Sequence, residues 1–134
     1  MRCCLYNKLV EICKTAPTVC PTWPEQALRA NILAQISLAL NRIWTEWYPS
    51  RGYSFNITGS PGVDQAYVSG RTVFAVMEKL TAELFNTYVR RSGDREPYYT
   101  EYCDGKTVTC PGMKQWGTVD RAKEGKHALQ ILRY

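Results

Sequence analysis

Residues 22–48 read TWPEQALRANILAQISLALNRIWTEWY, and this stretch decides the fold. Thr22 followed three residues later by Glu25 has the spacing of a capping box, in which each side chain satisfies an orphan N–H of the first turn. Pro24 between them is tolerated because no intrahelical donor is needed there. A helix is therefore expected to start at Thr22. Leu28, Ile32, Ile36, Leu40, Ile43 and Trp47 then recur at three- and four-residue spacing, with Leu33 and Trp44 widening the stripe, the pattern of a core helix. About 25 residues rising 1.5 Å each would span about 37 Å, more than a compact domain of this size is wide, so one end is expected to project or bend. Pro49 ends the pattern, because the residue before a proline is pushed out of the α region. Arg29, Asn31, Gln35, Asn41 and Arg42 interrupt the apolar run. That excludes a membrane span, which needs about 20 consecutive apolar residues.

The chain has 134 residues, 45% of them hydrophobic, enough for one core and too few for two. Its formal charge of +5 is spread along the sequence, with Arg90 and Arg91 the only adjacent bases. No dense basic block marks a nucleic-acid groove. A solvated basic surface and attraction to an acidic polymer both fit.

Six cysteines include two pairs of equal spacing, Cys13 with Cys20 and Cys103 with Cys110. Zinc sites place close ligands two to four residues apart and recruit histidine, and His127 is the only histidine. No metal or other cofactor is expected. Asp104-Gly105 is a turn signal that lets the chain double back and bring Cys103 and Cys110 within bonding distance. A local disulfide is the preferred reading, and with it an oxidising compartment. The start, MRCCLYNKLVEIC, lacks the apolar run of a signal peptide. Either the beginning of an exported precursor is missing, or the protein is cytoplasmic with free thiols. The end, LQILRY, is a helical apolar pattern with no C-cap signal, so both ends read as cut.

Residues 5–13 suggest a short helix or turn, followed by a constrained loop over 16–21. Residues 49–63, PSRGYSFNITGSPGV, form a long surface loop in which Tyr53 and Phe55 alternate with polar residues, as a substrate-stacking segment would. A second helix is expected over 71–85, with Val73, Val76, Met77, Leu80 and Leu84 on one face. Residues 87–90 and 97–102 are β-prone and flank a Ser92-Gly93-Asp94 turn, which predicts an antiparallel hairpin. One or two short helices should follow the glycine-bounded segment 112–117. The fold class is α+β: a long central helix, a second helix, a small antiparallel sheet and short C-terminal helices.

No nucleotide-binding loop, metal-binding histidine pair or nucleophile elbow is present. A Ser/Cys-His hydrolase would have to use His127, which lies in a charged stretch. What remains is carboxylate and aromatic chemistry, the means by which proteins handle carbohydrate.

Three segments carry a resemblance. Pro24-Glu25-Gln26-Ala27-Leu28-Arg29-Ala30-Asn31, followed by Ala34-Gln35, resembles the P-E-E-A-L-[KR]-A-x-x-x-A segment of the stage II sporulation protein D family, the SpoIID/LytB or amidase-enhancer domain. Asp64-Gln65-Ala66-Tyr67 with Gly70 is similar to that family's x-Q-x-Y-x-G element. Gly112-Met113-Lys114-Gln115-Trp116-Gly117, then Ala122, Gly125 and Ile131-Leu132-Arg133-Tyr134, resembles its G-M-S-Q-[YW]-G … I-L-[KR]-x-Y ending. The resemblance covers residues 21–134 as a domain truncated at its C-terminal end, with 1–20 a divergent leader.

The resemblance implies a cell-wall protein outside the membrane that acts on peptidoglycan glycan strands. It would be either a lytic transglycosylase or an enhancer of a cell-wall amidase, with no nucleic-acid partner. In the transglycosylase reaction one glutamic acid protonates the bridging oxygen, then as a base helps the sugar's own 6-hydroxyl close an anhydro ring. The family's acid sits eight residues ahead of the position held here by Gln26, and Thr18 stands there, which cannot donate that proton. The Cys/His metal ligands of some members also fail, since Val63 and Asp64 occupy their places and Thr109 replaces a further histidine. Substitute acids are Glu25, which also reads as a capping residue, Glu46 beside Trp44 and Trp47, and Glu101, which alternates with Tyr99. Asp64, Gln65, Tyr67, Met113, Gln115 and Trp116 are the expected substrate-binding residues, with close backbone approach at the flanking glycines as their structural alternative.

Overall fold

The computed structural model describes residues 19–66 and 72–133. The fold is α+β and mostly helical. The first helix, α1 (Glu25–Trp44), is enclosed by α2 (Ala75–Leu84), α3 (Gln115–Lys123) and α4 (Ala128–Leu132), with a two-stranded sheet of β1 (Tyr102–Cys103) and β2 (Met113–Lys114) at one side.

α1 is buried almost all round rather than along one stripe, as a helix at the centre of a domain must be. One flank packs Leu28, Ile32 and Ile36 with Trp23, Met77, Leu80 and Val119. Another packs Ala30 and Leu33 with Ala128 and Ile131. The alanines at 27, 30, 34 and 39 are fully buried and let the surrounding elements approach the helix axis closely.

Both ends of α1 differ from the expectation. The capping box is not formed: Pro24 occupies the N-cap with no side-chain bond, Thr22 Oγ1 lies 3.0 Å from Cys20 Sγ, and Glu25 accepts from Arg29 Nε at 2.8 Å. Trp23 is buried against Trp116, with ring centroids 4.8 Å apart. Burying so large a ring stabilises by about 2–3 kcal/mol, more than the ~1 kcal/mol of a capping bond. At the other end the helix stops before Pro49 is reached. Glu46 adopts φ 49°, its N–H donates to Ile43 O, and Trp47 N–H donates to Arg42 O. These are the two bonds of a Schellman motif, closed here by a residue other than glycine. Trp44 and Trp47 are consequently exposed.

α2 begins at Ala75, with Phe74 extended at its N-cap. Met77 and Leu80 are buried as expected, while Val73 and Val76 face solvent.

The antiparallel hairpin over 87–102 is not formed as a sheet. Gly93, at φ 89°, makes the turn, but only Tyr98 N–H to Val89 O bridges the arms as a ladder would. The arms bond to α1 instead: Val89 N–H donates to Ser37 Oγ at 2.8 Å, Asn41 Nδ2 to Pro97 O at 2.8 Å, and Thr100 Oγ1 to Ala34 O. Ser37 and Asn41 of the helix thus take backbone groups that strand pairing would have used, and Thr100 adds a side-chain bond to the helix backbone. The sheet that does form is parallel, pairing Tyr102 with Met113 and Cys103 with Lys114.

The predicted disulfide Cys103–Cys110 is present and closes the loop between these strands. The Asp104 carboxylate gathers the N–H groups of Lys106, Thr107 and Val108, and the Thr107 hydroxyl. The Asp104 carbonyl accepts from Trp116 N–H at the start of α3.

Candidate functional site

Asn31 and Gln35 lie one turn apart on α1 and both are buried. Asn31 Nδ2 donates to Thr118 Oγ1 at 2.9 Å, and the Thr118 hydroxyl donates to Gln115 O at 2.6 Å. Gln65 Nε2 donates to Gln35 O at 2.9 Å, and Tyr102 donates its phenol proton to Gln65 Oε1 at 3.2 Å. The three segments singled out in the sequence therefore converge on the middle of α1. Asn31 Oδ1, Gln35 Oε1 and Gln115 Nε2 are buried with no hydrogen-bond partner among the described residues. An unpaired buried polar atom costs about 1–3 kcal/mol.

Beside this network runs an open groove of about 880 Å³ between the 98–101 segment, β2 and the C-terminal helices. Tyr98, Tyr99, Glu101, Met113, Lys114 and Arg121 contribute to its lining. Its floor depends on Gly112. A Cβ at that position would lie 2.0 Å from Glu101 O, so only glycine allows Met113 N–H to reach the same oxygen at 2.9 Å. Lys114 Nζ donates to Cys110 O and Gly112 O and brings a positive charge to the groove wall. Arg91, also in the lining, lies over the Tyr98 ring at 4.8 Å.

The candidate acids are distributed unequally. Glu101 is exposed and lines the groove. Glu25 is at the far N-terminal end of α1 in an exposed ion pair with Arg29, and Glu46 is in the Schellman turn. Thr18 and Tyr67 lie outside the described residues. Met113 lines the groove, Gln115 is buried at the first turn of α3, and Trp116 lies away from the groove lining, against Trp23 with Lys106 Nζ 3.4 Å from its centroid.

Asp64 is fully engaged inside the protein. Oδ1 accepts from Arg42 Nε at 2.7 Å, while Oδ2 accepts from Tyr48 O–H at 2.5 Å and from the N–H and hydroxyl of Thr58. Burial alone would raise its pKa, but the bonds from Tyr48, Thr58 and Arg42 together outweigh it and hold the carboxyl below its usual range. Burial, then the hydrogen bond to Asp64, raise the Tyr48 phenol. The Arg42 guanidinium lies 4.4 Å from the Trp47 ring and 4.5 Å from the Tyr99 ring.

Arg42, Tyr48, Thr58 and Tyr99 escaped sequence reasoning, which took Arg42 as a polar interruption. The available signal was that Asn31, Gln35 and Arg42 recur at helical spacing in an otherwise apolar helix, the mark of a buried polar stripe. Among the described residues no group of three or more His, Cys, Asp and Glu could hold a metal ion, and no helix is long and apolar enough to cross a membrane. Compared with family profiles, with curated proteins and with solved structures, the chain matches none.

Proposed function

We propose that the chain recognises peptidoglycan glycan strands on the outer side of the membrane, as a domain of the sporulation protein D kind, with the groove beside Gly112 as the binding site. The observation that carries this reading is that the three resembling segments meet at buried polar contacts one turn apart on α1, through Asn31–Thr118, Thr118–Gln115 and Gln65–Gln35. Tyr98 and Tyr99 supply ring faces for sugar, and Glu101, Lys114 and Arg121 supply polar and charged groups for its substituents. The disulfide is compatible with an oxidising location.

Glycan cleavage and simple binding differ by one acid. A proton donor of this kind works best when burial raises its pKa toward neutrality. Glu101 is exposed, and Glu25 and Glu46 are absent from the groove lining. This favours a binding module, free or acting on a cell-wall amidase, over a transglycosylase. The test is incubation of glycan strands stripped of stem peptides with the protein and with Thr18→Glu, followed by mass spectrometry and co-sedimentation. The binding reading expects saturable retention on the strands and no 1,6-anhydro ends from the parent chain. Anhydro products from the parent would establish cleavage, and no retention by either protein would sink the reading.

A further inference from the structure

The C-terminal end of α1 and the loop after it hold several aromatic rings at the surface. Tyr53 is 54% exposed and Phe55 40%, yet their positions are fixed. Their centroids are 5.2 Å apart, and both rest on Tyr48, at 6.0 Å and 4.8 Å. Tyr48 is itself buried and tied to Asp64. Trp47 lies alongside with the Arg51 guanidinium 3.7 Å from its centroid, and Arg51 Nη1 donates to Trp47 O at 2.7 Å. The buried Arg42–Asp64 pair thus supports a surface whose outer layer is exposed aromatic rings. Packing economy would place these rings inside, so their order at the surface points to a ligand.

We infer that Tyr53 and Phe55, with Trp47 and Arg51 beside them, form a second carbohydrate site that stacks the uncharged faces of a pyranose chain. The charge of the segment selects this occupant. Residues 45–63 contain one acid, Glu46, and one base, Arg51, so the loop has no net charge with which to attract nucleic acid or an anionic lipid surface. The other polar side chains are neutral: Thr45 and Thr58 bond inside the protein, while Ser50, Ser54, Asn56 and Ser60 are suited to sugar hydroxyls and acetamido groups. Tyr99 lines the groove, and the buried Arg42 guanidinium contacts both the Tyr99 ring and the Trp47 ring. The inference rests on the glycan reading only for the breadth of its ligand; the patch stands or falls by itself.

Calorimetric titration of the full chain with a linear β-1,4-linked N-acetylglucosamine tetramer tests it, alongside Tyr53→Ala/Phe55→Ala and a control, Glu124→Gln, at an exposed residue outside the groove lining. The double variant is expected to weaken tetramer binding at least tenfold, with Glu124→Gln within twofold of the parent. Circular dichroism should show the double variant folded. Should removal of both rings perturb the fold, Tyr53→Ala alone, which is expected to weaken binding at least threefold, keeps the test open. Equal binding by the parent and the folded variants, or no tetramer binding by the parent at millimolar concentration, overturns the patch. Loss of binding to anionic vesicles in the double variant would assign the rings to a membrane surface and overturn it as well. Stem-peptide-free strands separate the two readings: strands retained equally by the parent and the double variant leave the groove and remove the patch. Tetramer binding that needs the rings, with no strand retention, keeps the patch and removes the peptidoglycan reading.

Discussion

Arg42 Nε lies 2.7 Å from Asp64 Oδ1, and both side chains are almost wholly buried. The pair joins the long helix to the end of the 49–64 loop. Tyr48 and Thr58 complete the carboxylate's hydrogen bonds, while Trp47 and Tyr99 face the guanidinium. A buried ion pair of this kind gives modest net stability when intact, but is costly to break because the surviving charge is left unpaired.

Asp64→Asn should therefore destabilise the chain by about 3–5 kcal/mol, read as a lower urea midpoint. The variant keeps the shape and removes the charge opposite Arg42. Replacing Arg42 and Asp64 together by Met and Leu should recover part of the loss. A double variant no more stable than Asp64→Asn would show that hydrogen bonds, rather than the charge pair, dominate this cluster.

The same cluster sets a pH dependence. Asp64 is held below the ordinary value of about 3.9, so the unfolded chain takes up the proton first as the pH falls. Its contribution is complete above about pH 4–5 and is lost progressively below, as the folded carboxyl in turn titrates. Asp104 is also held low, chiefly by the Thr107 hydroxyl and then the Val108 N–H, and adds a slope of the same sign. Urea midpoints at pH 7, 5 and 3 should be flat over the first interval with respect to these groups and fall over the second. Asp64→Asn should fall less; an equal drop would remove Asp64 as a source.

Glu46 is the only residue other than glycine with positive φ among the described residues. The left-handed conformation costs an ordinary residue about 1–2 kcal/mol, part of which glycine returns through its freedom in the unfolded chain. Glu46→Gly should stabilise by roughly 1 kcal/mol in thermal melts, whereas Glu46→Val should destabilise.

These residues show what was readable in advance. The spacing of Leu28, Ile32 and Ile36 identified the central helix because apolar periodicity is a local signal that packing then obeys. The turn at Asp104-Gly105 identified the disulfide for the same reason. The capping box at Thr22 and the hairpin over 87–102 were equally good local signals, but Trp23 burial and the polar side chains of α1 overrode them. Arg42 and Asp64 are 22 residues apart, and their pairing follows from the path of the loop between them, which no local pattern carries. The groove was legible only through Gly112 and Glu101, as separate marks whose proximity required the fold.

Loss of the Cys103–Cys110 bond should cost about 2–3 kcal/mol, the loop-closure value for a ring of this length. Its effect should also reach α3, because the loop it closes accepts the Trp116 N–H at the Asp104 carbonyl and holds Lys106 over the Trp116 ring. Cys103→Ser/Cys110→Ser is expected to shift tryptophan emission along with the unfolding midpoint. An unchanged emission with a lowered midpoint would confine the disulfide to a local role.

Gly112→Ala tests whether the groove is a built site. The added methyl would fall 2.0 Å from Glu101 O, so either the Met113–Glu101 backbone bond breaks or the 98–101 segment moves away. Overpacking of this kind costs about 1–3 kcal/mol, while the hydrophobic clusters around α1 lie elsewhere and should keep the chain folded. Binding to stem-peptide-free glycan strands should fall at least tenfold, with helical circular dichroism retained. Gly117→Ala is the control, since its added methyl meets only Lys114 Cβ at 3.5 Å, an ordinary contact. If Gly112→Ala binds strands like the control despite a lowered melting temperature, the contact between Gly112 and Glu101 serves stability alone, and the binding surface must be sought at the rings of Tyr53 and Phe55.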